Sequence, residues 1–135
     1  MKRPFGLHQL SAMDIDPLEL VETAAACGYD QVSLFTNAPV VPLEGQESKF
    51  VFPTVTTEIK EEVKQRLDAH GLEVINAEFF LMKPDVDLAD YVPGLALGRE
   101  LGARNAMTHV FEPDPLRAVD ILGAFCELAE AQDLN

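Results

Sequence analysis

Cysteine is scarce in this chain. Cys27 and Cys126 are the only two among 135 residues, and no CxxC or Cys/His cluster surrounds either. That argues against a zinc ribbon and a disulfide framework. Both thiols fall in helical stretches and are expected to be buried and reduced. Basic residues are scarce too: 10 Lys and Arg stand against 23 Asp and Glu, a net charge of −13. Such a surface repels a phosphate backbone, so nucleic acid is not an expected partner. No apolar run approaches the roughly 18 residues that a membrane-spanning helix needs. The segment Met1-Lys2-Arg3-Pro4-Phe5-Gly6 lacks the apolar stretch of a secretory signal. A cytoplasmic location with no membrane partner is the expectation. Glycine motifs that cradle phosphates, GxGxxG and GxxxxGK[ST], are also missing.

What remains is an ordinary globular composition. Hydrophobic residues make up 47%, enough for one domain over residues 1–135 to bury a core without staples. Four units of one kind follow each other. The first strand is expected over Phe5–Leu10. A helix follows, with Asp16 as N-cap, Pro17 at its first position, Glu19 in its first turn and the stripe Leu18, Val21, Ala25. Gly28 suits a left-handed C-cap, and Gln31–Phe35 reads as the next strand.

The stretch from Asn37 to Thr56, with Pro39, Pro42, Gly45 and Pro53, reads as a long loop and a candidate lid. The second helix is expected to open at Thr56 or Thr57, with Glu58 and Glu61 near its positive end and Ile59, Val63 and Leu67 on its inner face. Gly71 ends it, and Glu73–Leu81 is the third strand. A third helix falls within Leu88–Leu101 and either starts or bends at Pro93. After Gly102 comes a strand over Asn105–Phe111. Asp114-Pro115-Leu116 then repeats the signal of Asp16-Pro17-Leu18 and opens a helix through Val119, Leu122, Phe125 and Leu128 to about Ala131.

Gly28, Gly71 and Gly102 share a phase, since Val32, Ile75 and Ala106 each lie four residues later in a strand. Strands alternating with helices at this spacing mean an α/β fold with a parallel sheet and right-handed crossovers. An open doubly wound sheet and a (β/α) barrel both satisfy the pattern. One more step of the Gly71-to-Gly102 length, 31 residues, lands at Asp133, where a fifth strand is due. Four units are half of an eight-stranded barrel. The expectation is therefore a truncated enzyme, a half barrel completed by a second copy, or a sheet that stays open.

Several phrases resemble the xylose isomerase-like barrel superfamily, and within it the sugar phosphate isomerases/epimerases. They are Gly6-Leu7-His8-Gln9-Leu10, Asp16-Pro17-Leu18-Glu19-Leu20-Val21, Ala24-Ala25-Ala26-Cys27-Gly28-Tyr29-Asp30, Glu73-Val74-Ile75-Asn76-Ala77 and Arg99-Glu100-Leu101-Gly102-Ala103-Arg104. The resemblance covers the whole chain and the first half of the family's barrel, a TIM-type (β/α)8 fold. It implies a sugar or sugar-phosphate substrate, a divalent metal (Mn, Mg, Co or Zn) in the complete barrel, and proton transfer next to a carbonyl. The family's metal ligands come from strands five to eight. No metal ligand and no catalytic residue is therefore assigned here, and this chain alone is not expected to hold a metal tightly. The DNA-repair branch, similar to endonuclease IV, places a histidine at the end of strand four, where His109 falls. Val110-Phe111-Glu112-Pro113 departs from that branch's His-Pro-Gly-Ser phrase, and the acidic charge opposes a nuclease. A non-catalytic half barrel that self-associates is the other alternative.

Ligands of such sheets sit at the C-terminal ends of the strands. The candidates there are His8 to Ser11, Thr36, Asn37, Glu78 and His109 to Glu112. His8, Glu78, His109 and Glu112 are the expected substrate-binding residues. Glu78 interrupts an apolar strand, where a carboxylate is costly unless paired. It reads either as a pocket acid or as a buried partner for an arginine or backbone amides. His109 and His8 read as pocket histidines or as core histidines bonded to a carbonyl. His70, before Gly71, complements a helix dipole. Glu58, Lys60, Glu61, Glu62 and Lys64 form a solvated face. Phe79-Phe80 and the Phe50/Phe52 pair read as core or as a ligand cover.

Overall fold

The computed structural model describes residues 3–38 and 52–135. The loop expected as a lid lies mostly outside them, as does Phe50. Four strands, β1 (Gly6–His8), β2 (Gln31–Phe35), β3 (Glu73–Met82) and β4 (Asn105–Val110), form one parallel sheet in the order β1-β2-β3-β4. Helices α1 (Pro17–Ala26), α2 (Lys60–His70), α3 (Val92–Glu100) and α4 (Pro115–Glu130) alternate with them.

Local chemistry sets the boundaries. Asp16 Oδ1 accepts from the amides of Leu18 and Glu19 at 2.8 and 3.0 Å, and Asp114 Oδ1 accepts from those of Leu116 and Arg117 at 2.9 and 3.1 Å. The two Asp-Pro-Leu phrases are thus the same N-cap used twice. The helix-ending glycines Gly28, Gly71 and Gly102 all have positive φ, which side chains with a Cβ resist. Two boundaries, the end of β1 and the start of α2, differ from expectation by more than one residue, and α3 lies within its expected range. β1 is only three residues long, because Gln9–Ser11 coil into a 3-10 turn and His8 becomes the strand's last residue. The second helix starts at Lys60 rather than at a threonine, with no side-chain cap. The α3 segment opens as a 3-10 turn at Leu88–Tyr91, and Pro93 sits in the first turn of the α-helix proper.

All four helices cover one face of the sheet. Leu20, Val21 and Ala24 of α1, Val63 and Leu67 of α2, Leu95 and Leu97 of α3, and Phe125 and Ala129 of α4 join Val32, Leu34, Val74, Ala77, Phe80 and Met82 in a single core. This is the arrangement of a barrel wall, and it decides against the doubly wound alternative, in which helices lie on both faces. The fold is the N-terminal half of a TIM barrel. The other face carries a small second cluster of Phe35, Phe79 and Leu81, with Phe52 against it. Phe79 and Phe80 therefore point to opposite faces, one to the barrel interior and one to the helices.

Asn135 donates its amide to the Arg104 carbonyl at 3.0 Å and accepts from the Ala106 amide at 2.9 Å. These are the bonds a parallel strand makes beside β4. The start of α4 is less covered than its apolar pattern implied: Leu116 and Val119 are exposed, and packing begins deeper in the helix, with Phe125 and Ala129 buried. The cysteines also depart from expectation. Both are free and exposed, Cys27 at the C-cap of α1 and Cys126 on the outer side of α4. No helix among the described residues is long and apolar enough to cross a membrane.

Tyr91 shows how the upper end of β3 is held. Its hydroxyl donates to the Leu81 carbonyl at 2.5 Å and accepts from the Leu81 amide at 3.1 Å. Its ring meets Phe80 and Phe125 edge-on, with centroids 5.4 and 6.3 Å away. Burial raises the phenol above its ordinary value, against the lowering effect of the Leu81 backbone. Tyr91→Phe is expected to cost about 1–2 kcal/mol, because two bonds to Leu81 are lost in a dry place; urea unfolding measures it. The pH sign follows. With the folded value raised, the Tyr91 contribution is intact below the ordinary tyrosine range and is lost as pH rises through the raised value. Tyr91→Phe should therefore lose less stability than the parent on alkaline titration.

Candidate functional site

The face turned away from the helices is polar where a barrel interior is ordinarily filled by branched apolar side chains. The strand register explains how. His8 pairs with Ser33, Ser33 with Asn76, and Asn76 with Asn105, so one row across all four strands is polar. Glu78 lies two residues further along β3, paired with Phe35 of the second cluster.

These side chains form a connected network. His8 Nε2 is 2.7 Å from Glu78 Oε1. Asn76 Nδ2 donates to Ser33 Oγ at 3.2 Å and to Glu78 Oε1 at 3.4 Å, and Asn76 Oδ1 accepts from Asn105 Nδ2 at 3.2 Å. The Leu10 amide donates to His8 Nδ1 at 3.0 Å. That bond sets the tautomer: Nδ1 is the acceptor, so the ring proton sits on Nε2 and is donated to Glu78. His8 is held on both sides, while its side chain remains 34% exposed. Glu78 is fully buried, and its second oxygen, Oε2, has no hydrogen-bond partner among the described residues.

The backbone at Glu78 is fixed from β2. The Glu78 carbonyl accepts from the amides of Thr36 and Asn37 at 2.5 and 2.9 Å, and Asn37 Nδ2 donates to the Phe79 carbonyl at 2.8 Å. Thr36 and Asn37, both strand-end candidates, thus serve the backbone of β3. Gln9 does similar work: it is fully buried, Oε1 accepts from the Phe35 amide at 2.7 Å, and Nε2 donates to the Pro53 carbonyl at 2.5 Å.

The four expected site residues separate here. His8 and Glu78 come together as a bonded pair. His109, paired in register with Leu81, lies on the same inner face and packs its ring on Phe79 with centroids 4.3 Å apart. Glu112 is buried beyond β4, where Oε1 accepts from the Asp114 amide at 2.9 Å and Oε2 lies 3.1 Å from Arg117 Nη2. It anchors the turn into α4 and has no contact with the His8–Glu78 pair among its bonds. The partner of Glu78 is a histidine, neither the arginine nor the amides that the sequence reading offered. His70 binds Glu22 across α1 and α2 on the surface, at 2.9 Å. Ser33, Asn76 and Asn105 were missed. Ser33 and Asn76 each lie five residues after a helix-ending glycine, so the repeat carried a usable signal.

No group of three or more His, Cys, Asp or Glu side chains converges on a metal position among the described residues. The donors present on these four strands do not make the metal site that the resemblance implies, and no step is assigned to a metal on them.

No protein-family model matches the chain, and no curated protein matches it by sequence. Solved structures do match. A xylose isomerase domain containing protein from Salmonella typhimurium LT2 is 14% identical with a TM-score of 0.72, over 97% of this chain and 47% of that one. D-psicose 3-epimerase from Clostridium cellulolyticum H10, solved with D-tagatose, is 16% identical with a TM-score of 0.66, over 98% and 50%. A sugar phosphate isomerase/epimerase from Parabacteroides distasonis ATCC 8503 is 12% identical with a TM-score of 0.61, over 98% and 52%. The chain spans about half the length of these structures. At such identities the likeness establishes the fold alone: the first half of a TIM barrel.

Proposed function

We propose that this chain is the substrate-binding first half of a sugar or sugar-phosphate isomerase/epimerase barrel. The observation that carries the reading is the His8–Glu78 pair within a polar row on the inner face of this fold. Interior polar groups cost stability, and a wall built only for packing has no use for five of them. In this reading His8 and Glu78 face the sugar, His109 and Phe79 flank it, and Glu112 holds the β4–α4 turn. The reaction class is proton transfer next to a carbonyl. The metal and the groups that move the proton belong to strands five to eight of the complete barrel.

The test has two parts. The reading frame past the Asn135 codon is determined, and the encoded polypeptide is incubated with ketohexoses in D2O with Mn2+, Mg2+, Co2+ or Zn2+. Further strands ending in Glu, Asp, His and Glu, with deuterium entering at the carbon beside the carbonyl, are expected. Absence of exchange with all four metals sinks the proposal. A second reading, a self-associating half barrel, draws on the exposed Met107, Val110 and Phe111 at the β4 side. It is favoured if sedimentation finds a dimer that exchanges no deuterium.

A further inference from the structure

Glu78 Oε2 stands out among the polar atoms of the sheet's inner face. It is buried on a carboxyl whose other oxygen is already committed to His8 and Asn76, and it has no partner among the described residues. Acceptors left so in native proteins are rare and costly, so an unsatisfied one calls for a donor. Its surroundings describe that donor. Asn76 donates to the other oxygen of the same carboxyl, and through Asn76 the Ser33 and Asn105 side chains join one hydrogen-bonded row. The Phe79 and His109 rings, in tilted contact with centroids 4.3 Å apart, lie on the same face. A convergent polar cluster against aromatic faces suits a molecule with hydroxyls on its edges and C–H groups on its faces. A metal cation fits poorly, because no third carboxylate, histidine or cysteine joins the pair among the described residues.

We propose that Glu78 Oε2 is the acceptor of a hydroxyl-binding subsite for a sugar or polyol, built on β1 and β3 and oriented by His8. This rests on the isomerase/epimerase reading for its ligand class and adds the atom that binds. His8 is a positioning residue. Its tautomer is set by the Leu10 amide, its Nε2–H fixes Oε1, and Oε2 is thereby left for the ligand.

The experiment is a titration of the 135-residue chain, labelled with 15N in histidine, with D-tagatose and no added metal. Proton–nitrogen correlation should show His8 protonated at Nε2 and unprotonated at Nδ1. The His8 signals should shift saturably with ligand, and those of the surface His70 should stay put. Glu78→Gln places an amide donor where the carboxylate offers an acceptor, and should weaken binding at least about tenfold. His8→Leu, read by saturation transfer to the ligand, should weaken it too, because Glu78 loses its anchor. A parent chain with no saturable His8 shift, as when Oε2 holds only water, overturns the proposal. So does affinity unchanged in both variants. Binding without deuterium exchange in the encoded polypeptide keeps the subsite and removes the isomerase reading. Exchange there without a His8 shift does the reverse.

Discussion

Gly98→Ala is expected to destabilise the protein by about 2 kcal/mol or more, although the same change in an ordinary helix is stabilising. A Cβ at Gly98 would lie 2.3 Å from the Ala77 Cβ, a separation that requires α3 or β3 to move. One turn earlier, a Cβ at Gly94 would meet the Thr36 carbonyl oxygen and the Asn37 Cβ, each at 3.0 Å. The two glycines let α3 lie directly on the strands, and they do so beneath the site. Ala77 precedes Glu78, while Thr36 and Asn37 bind the Glu78 carbonyl. Displacing α3 therefore displaces the carboxylate that His8 holds. Gly123→Ala in α4 is the matched control: nothing lies within 4 Å of its Cβ, and about 1 kcal/mol of helix propensity should appear as added stability. Urea unfolding of both variants gives the answer. Equal signs for the two substitutions would mean that the α3–β3 contact relaxes freely. Ala77→Gly in the Gly98→Ala background should return part of the loss, since it removes the opposing methyl.

Much of the fold was legible because it rests on local chemistry. Asp-Pro-Leu caps, helix-ending glycines and apolar periods are short-range features, and they mark both Asp-capped helices and all four strands. What the sequence left open was how the sheet folds over, since strand-helix alternation suits a barrel and an open sheet alike. That depends on which face the helices choose, a property of the assembled core. The α3 glycines were unreadable for a related reason. Their importance lies in Ala77 and Thr36, far away in sequence and touching only in the folded chain. The end of β1 was misplaced because Gln9 and Leu10 look strand-like, yet the His8 side chain caps a 3-10 turn there.

The site was legible in part for comparable reasons. Glu78 stood out as a charge in an apolar strand, His109 as a histidine late in the fourth strand, and His8 as one within the first. Their pairing was not legible, because His8 and Glu78 meet only through β2, and the registers of both interfaces are needed to align them. The second of these, β2–β3, contains a register shift at Val32/Ser33, which hydrophobic pattern alone does not locate. The bonds of Glu112 were not legible either, because a carboxylate after a strand has the same sequence appearance whatever it meets, and in the fold this one lies against Arg117.

The pairing of His8 with Glu78 yields the other large effect. His8→Leu is expected to cost about 2–3 kcal/mol, because it strips a charge-assisted bond from a fully buried carboxylate. The cost belongs to what is left behind. Asn76 at 3.4 Å is a weak substitute, and Oε2 has no partner among the described residues. Glu78→Leu, larger than glutamate by about one methylene, removes the charge together with its desolvation and should be neutral or stabilising. The double variant should then lie near the parent, with a coupling of about 2 kcal/mol between the positions. Chemical denaturation of the four proteins at neutral pH closes the cycle. If His8→Leu costs the same with leucine at position 78, the histidine contributes packing alone. If Glu78→Leu is strongly destabilising, the carboxylate belongs to the architecture. The expected result, a pair that costs stability to keep, is what a site held ready for a ligand looks like in a scaffold that folds better without it.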